Sequence, residues 1–287
     1  MALATQAAAN ERELATERTR RADAEKRAAQ AAADLARIAA VKQETRGTVI
    51  TLSGSVLFAS NKYALLPAAQ VKLGFTSCAN YERGYFTGYR HLAAEQPDLV
   101  LMLGDYIYEQ VEKNRPVLRR HSDNEVPTTL DGYRRRYAQY RLDPDLQNLH
   151  AVAPTLVTWD DHEVENDYAG DWSEKFTPQA TFARQRQAAY RAFYDHMPVR
   201  NRPTATGLDI YDSVTIGDLA RISLLDGRQY RTRGACYATP NQGGGHQVDS
   251  VTCPELLDPS RSMLGLRQEQ WLGGNLATSP ARWNIVR

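Results

Sequence analysis

The sequence lacks a charge imbalance. Its 287 residues carry 35 Lys and Arg against 34 Asp and Glu, a formal net charge of +1. No field of one sign therefore draws it to nucleic acid or to an anionic membrane, and no nucleic-acid-binding surface is expected. Long apolar runs are missing too. No stretch approaches the ~18 residues that a membrane span needs, and the opening residues hold no apolar core of the kind a secretory signal requires. Neither a transmembrane segment nor an export address is expected. Cysteine is scarce: three residues cannot form a disulfide scaffold. Cys236 and Cys253 lie close together in a Gly-rich, Pro-containing stretch and could close one loop, leaving Cys78 for a different role. No internal repeat is visible, and the length suits one large domain or two smaller ones.

What is present falls into three segments. Residues 1–45 are dominated by Ala, Arg, Glu and Gln, as in ERELATERTRRADAEKRAAQAAADLARIAA. These residues favour helix, so a long N-terminal helix is expected. Leu14, Leu35 and Ile38 are too few for a strong heptad seam, so a solvated stalk is favoured over a coiled coil. Any self-association is expected through this helix. Residues 46–73, RGTVITLSGSVLFASNKYALLPAAQVKL, begin with alternating β-branched and small polar residues and end in a helix-like stretch with Pro67 near its first turn. With the stalk before it, this segment is similar to the beginning of an OmpA-like domain. The part of such a domain that contacts peptidoglycan does not follow. A non-catalytic, OmpA-like envelope protein is the alternative this segment raises.

From Gly74 the pattern becomes α/β. GFTSC reads as a strand, GYFTGYRHLAAEQ as a helix and PDLVLMLGD as a second strand. TLDGYRRRYAQYRLDPDLQNLHAV is helical with a break at Pro144, and APTLVTWDD is a third strand. TPQATFARQRQAAYRAFYDHM is helical, DIYDSVTIGDLARISLLDGRQY is a two-stranded hairpin, LRQEQWLGGNL is a short helix, and the chain closes on RWNIVR. Alternating strands and helices imply a layered α/β domain over residues 74–287.

Three of these strands end in groups able to bind hard or borderline metals: Cys78, then Asp105 with Tyr108, then Asp160-Asp161-His162-Glu163. Ligands of open α/β sheets sit at the carboxyl ends of the strands, where these side chains can converge. Simpler roles exist for each. An Asp after a strand often caps the next helix, a lone Cys is often a small buried side chain, and a phenol with a pKa near 10 ligates poorly unless a strongly Lewis-acidic ion stabilises phenolate. Cys, Asp and Tyr together would suit ferric iron better than zinc. His162 could protonate or orient a leaving oxygen, or the acids around it could merely complement a helix N-terminus.

The stretches FTSC, LMLGDYIYE, VTWDDHEVEND, LLDGRQYRT and WLGGNLATSPARWNIV, in this order, resemble the catalytic domain of the PhoD-like alkaline phosphatases, within the calcineurin-like metallophosphoesterases. The resemblance implies an incomplete metallophosphoesterase-type four-layer α/β/β/α sandwich, preceded by the long N-terminal helix. It implies a binuclear site of Fe3+ and Ca2+, with Cys78, Asp105 and Tyr108 on the iron. Asp105 would bridge to the second ion, whose further ligand is Asp161, or Asp160 if the register shifts by one. His162 would lie near the leaving group and Arg228 near the phosphate, with phosphomonoesters or phosphodiesters as substrates. Such enzymes are typically periplasmic or extracellular. The family's later Gly-Asp-x-His block does not occur within these 287 residues, so the domain is expected to be C-terminally incomplete.

Overall fold

A computed structural model of the chain describes residues 22, 26, 39–44, 47–52, 71–238 and 247–287. The chain divides into two compact units, Met1–Lys72 and Leu73–Arg287. In the first, β1 (Ala39–Glu44) and β2 (Gly47–Leu52) pair antiparallel, with Ala39 opposite Leu52 and Glu44 opposite Gly47. The helix expected over 1–45 therefore gives way to a strand at its end. The β-branched GTVITL segment offers Ala39–Glu44 a complete ladder of backbone partners, and alanine's helix preference of under about 1 kcal/mol per residue does not outweigh it. Ala22 and Lys26 are helical; the rest of the stalk, and any self-association through it, lies outside the described residues.

The OmpA-like reading is corrected at its end. Val71 to Leu73 belong to strand β3 (Val71–Thr76), not to a helix, because VKLGFT lies alongside the next strand with Leu73 opposite Leu99. The helix start around Pro67 lies outside the described residues.

The second unit continues with α1 (Thr87–Ala94), β4 (Leu99–Leu103), α2 (Leu130–Arg141), α3 (Pro144–Val152), β5 (Thr155–Thr158) and α4 (Gln179–His196). There follow β6 (Asp212–Ile216), β7 (Ala220–Leu224), a 3-10 turn (Pro254–Leu257), α5 (Leu266–Thr278) and β8 (Trp283–Val286). β3, β4 and β5 pair in parallel, so their carboxyl ends share one edge. In a smaller sheet β7 pairs antiparallel with β6 and parallel with β8.

The LVLML run of β4 explains the layering. Val100 and Met102 enter the core on the helix side, whereas Leu101 meets Ile222 and Leu224 of the second sheet, with Leu99 and Leu103 packed alongside. A strand covered on both faces reads as continuously apolar. Arg221 of β7 donates to the Asn275 carbonyl of α5 at 3.0 Å, tying that helix to the smaller sheet.

The helix-side core is built largely of Tyr rings, including Tyr133, Tyr137 and Tyr140 of α2. Burying a ring is favourable, but its hydroxyl then needs a partner. The Tyr140 hydroxyl accepts from the backbone N–H of Tyr81 at 3.2 Å and of Tyr108 at 3.0 Å, tying α2 to the loops after β3 and β4. Arg136, on the same helix, donates to the carbonyl oxygens of Tyr108 and Glu109 at 2.5 and 2.9 Å. The break at Pro144 is present: Asp143 caps α3 by accepting from the N–H groups of Asp145 and Leu146, with Pro144 in the first turn. Cys236 and Cys253 form a disulfide with a Cα–Cα distance of 6.0 Å. Among the described residues no helix is long and apolar enough to cross a membrane.

His150, at the end of α3, meets the Tyr106 hydroxyl at 2.9 Å. Burial, then the charge of Arg141, lowers its pKa from 6.5 to about 4. The unfolded chain takes up this proton first as pH falls, so the neutral ring stabilises the fold fully above pH 6.5 and that contribution fades toward pH 4. The unfolding free-energy difference between wild type and His150→Gln should shrink by on the order of 1–2 kcal/mol between about pH 7 and about pH 4 after solvent screening. Denaturant titrations at both pH values check this; parallel pH dependence in the two proteins would contradict it.

Candidate active site

Where β4 ends, the backbone turns sharply. Gly104 has φ 103°, and a Cβ on it would lie 2.4 Å from the backbone nitrogen of Asp160, so only glycine lets the loops after β4 and β5 approach this closely. Asp105 and Cys78 then adopt left-handed backbone, at φ 53° and 58°. Such conformations cost of order 1–2 kcal/mol each and persist only where the surroundings impose them. Here the Cys78 N–H donates to the Gly104 carbonyl at 3.3 Å and the Ala79 N–H to that of Asp105 at 2.9 Å. Glu163, 1% exposed, accepts from three backbone N–H groups: Asp105 at 3.1 Å, Tyr106 at 2.6 Å and Asp160 at 2.9 Å. One carboxylate thus fixes the ends of two strands.

Every residue proposed from the sequence converges on this edge. Asp105 accepts from the Tyr108 hydroxyl at 3.1 Å and from the His162 N–H at 3.3 Å. Asp105 and Tyr108 both act on the Cys78 thiol, which places it beside them. Asp105, Asp160 and Asp161 each bring a carboxylate oxygen within 4.8 Å of the others. Asp160 and Asp161 therefore both occupy the cluster, so the register choice between them is a choice of oxygens within one group. Arg228 binds both, through Nε to Asp160 at 2.6 Å and Nη2 to Asp161 at 2.9 Å.

The electrostatics follow from crowding. Burial raises the carboxyl pKa of Asp105, which the charges of Asp161 and Asp160 raise further against the pull of His162. Asp161 is raised by burial too, opposed by Arg228 and His162. Burial also raises the Cys78 thiol and the Tyr108 phenol, with the charge of Asp105 acting in the same direction. Like charges held together out of water call for a counter-cation. The donor set fits: three carboxylates suit a hard cation, while a thiol and a phenol beside them need a strongly Lewis-acidic ion to ionise.

His162 stacks on Tyr108, ring centres 4.0 Å apart, and its Nδ1 meets Glu109 at 2.7 Å. Its Nε2 stands 4.0 Å from Asp161. Burial alone would lower its pKa, but Glu109, then Asp161 and Asp105, outweigh burial and push it up to about 9.

Residues 73–287 match the family described as PhoD-like phosphatase. The chain belongs to this family. It is 43% identical over 246 residues to alkaline phosphatase D of Bacillus subtilis (strain 168), covering 82% of this chain and 40% of that protein. A solved structure titled "Structure of PhoD" superposes with a TM-score of 0.66 at 37% identity, covering 83% of this chain and 46% of that one. The chain thus spans less than half the length of the relatives it matches.

For this PhoD-like phosphatase chain, sequence reasoning passed over the buried acids Glu109 and Asp226, and counted Glu163 among the metal-binding groups where the structure makes it an anchor of backbone N–H groups. Glu109 and Glu163 close the GDYIYE and WDDHE blocks, and Asp226 precedes Arg228 in LLDGRQYR. All three are fully or nearly fully buried. Asp226 accepts from the backbone N–H groups of Arg228 and Gln229 at 3.0 and 2.9 Å and from Trp159 Nε1 at 2.9 Å, which sets where the arginine emerges. The available signal was an acid inside an otherwise apolar strand-end block, since an acid is buried only when paired.

Replacing Glu109 by Gln removes the leading cause that holds the His162 imidazolium. In metal-free protein the His162 pKa should fall from about 9 toward the ordinary value of about 6.5. Titrating the imidazole by NMR in both proteins checks this; an unchanged value in Glu109→Gln would show that Glu109 does not carry the shift.

Proposed function

We propose that this chain hydrolyses phosphate esters, monoesters or diesters, at a two-cation centre on the carboxyl edge of the parallel sheet. The observation that carries the reading is the meeting of Asp105, Asp160 and Asp161 with the Arg228 fork and a His162 ring held by Glu109. Cys78, Asp105 and Tyr108 would hold one ion, proposed as ferric iron. Asp105 and Asp161, or Asp160 beside it, would hold the second, proposed as calcium. When bound, the cations supply Lewis-acid chemistry, neutralising charge on phosphoryl oxygens and acidifying water.

The chain's own residues do the rest. Arg228 presents a planar fork suited to two phosphoryl oxygens. Its present partners, Asp160 and Asp161, are the carboxylates that a cation would claim, so cation binding and phosphate binding by Arg228 support each other. His162, held by Glu109 at Nδ1, carries its second proton at Nε2, where it can be given to the departing alkoxide. Glu109, which is not among the carboxylates a cation would claim, is the partner that favours the protonated ring there.

The two sheets support assignment to the four-layer sandwich of metallophosphoesterases. The Cys236–Cys253 disulfide supports a periplasmic or extracellular location, because such bonds persist in oxidising compartments. No observation among the described residues favours the envelope-structural alternative.

Purified protein should contain iron and calcium by elemental analysis and hydrolyse p-nitrophenyl phosphate under alkaline conditions, with activity lost on chelation. Asp105→Asn should lose metal and at least about a hundredfold in kcat/KM, whereas Arg228→Ala should lose a similar factor with its metals retained. Protein that takes up neither metal and turns over neither monoester nor diester would refute the proposal.

A further inference from the structure

Beside Arg228 a cavity of about 350 Å³ opens to solvent. Its lining includes Arg228, which also belongs to the candidate site, together with Asp167, Arg231, Trp172, Arg233 and Tyr237. Four arginines line it against two carboxylates, Asp167 and Glu174, and the Asn166 side-chain amide already donates to both of those, at 3.0 and 2.8 Å. The cavity is therefore positive on balance, and its acids are engaged.

Three of the arginines are engaged too. Arg228 holds Asp160 and Asp161. Arg233 donates to the Tyr237 carbonyl and lies 4.4 Å over the Trp172 ring. Arg261 pairs with Glu255 at 2.5 Å. Arg231 differs: among the described residues its guanidinium makes no hydrogen bond or ion pair. It feels Asp160, Asp167 and Asp161 only at longer range, and burial, then the charge of Arg228, lowers its pKa. A half-buried guanidinium with no protein partner keeps its five N–H donors open to a planar or tetrahedral oxyanion entering the cavity. Trp172, 39% exposed, adds an apolar wall next to that charge.

We propose that this cavity receives the alcohol or second ester arm of the substrate, and that Arg231 recognises a further anionic group on that arm, a carboxylate or a second phosphate. The proposal rests on the phosphoesterase reading, which places the scissile phosphoryl group at Arg228. Esters with an uncharged arm would fill the cavity without satisfying Arg231, so the residue would set a preference among substrates.

Non-hydrolysable probes separate this from the reading beneath it. Phenylphosphonate, 4-carboxyphenylphosphonate and benzene-1,4-diphosphonate are titrated by calorimetry into the purified full chain with the metals it carries, with and without inorganic phosphate. At least one probe with an anionic arm should bind about tenfold more tightly than phenylphosphonate, the worth of one charge-assisted contact. Which arm gains tells carboxylate from phosphate. In Arg231→Met the ratio should fall to about one, and inorganic phosphate should displace every probe. Arg231→Gln, neutral but polar, repeats the measurement if the Met variant does not fold. A ratio near one in the wild type, or a preference that survives both substitutions, overturns the subsite, while phenylphosphonate binding displaced by phosphate leaves the phosphoesterase reading standing. An Arg231-dependent preference that phosphate does not displace, or no binding of any probe, overturns the substrate-arm proposal together with the reading beneath it.

Discussion

The candidate site depends on one buried carboxylate. Glu163 accepts from backbone N–H groups of two separate loops, Asp105 and Tyr106 after β4 and Asp160 after β5. Without it, the sharp turn at Gly104 and the left-handed Asp105 would lose their tie to the end of β5 and keep only the Cys78 and Ala79 N–H groups that follow β3. Burial and the charge of Asp105 raise its carboxyl pKa, opposed by the same N–H groups it holds. From the other side Arg136 grips the carbonyls of Tyr108 and Glu109, and Tyr140 takes the Tyr108 N–H. The GDYIYE loop is therefore fixed through its backbone, which leaves the side chains of Asp105 and Tyr108 available for chemistry.

This backbone fixation makes an unfavourable charge arrangement tolerable. Three carboxylates meet where burial already penalises the charges of Asp105 and Asp161, and Arg228 supplies the cation nearest to hand. The arginine is placed independently, by Asp226 beneath it. Asp226 is anchored in turn by Gln268 of α5, which donates to its carbonyl at 2.9 Å and accepts from its N–H at 2.7 Å. A site assembled this way is preorganised: folding free energy, not ligand binding, holds the like charges together.

Much of the α/β unit was legible from pattern. The apolar LVLML run, the Pro144 break with its Asp143 cap, and the hairpin of β6 and β7 were all readable because local spacing and local capping determine them. The segment before it was less legible. The alanine-rich stretch pointed to helix through Glu44, yet Ala39–Glu44 became a strand once GTVITL offered it a ladder. Likewise Val71 to Leu73 joined β3, because pairing with β4 is non-local and leaves no mark in the composition of the segment itself.

The order of the strand-end blocks by itself determined which side chains could meet: parallel strands bring their carboxyl ends to one edge, so Cys78, Asp105, Tyr108, Asp161 and His162 had a common destination, whereas Arg228, after β7 of the other sheet, was expected there from the family resemblance. Only the tertiary structure decided how they are held and charged. Glu109, Glu163 and Asp226 act across separations of 53, 57 and 67 residues, on His162, Tyr106 and Trp159. Their effect arises from burial, and burial belongs to the packed molecule rather than to any stretch of its sequence.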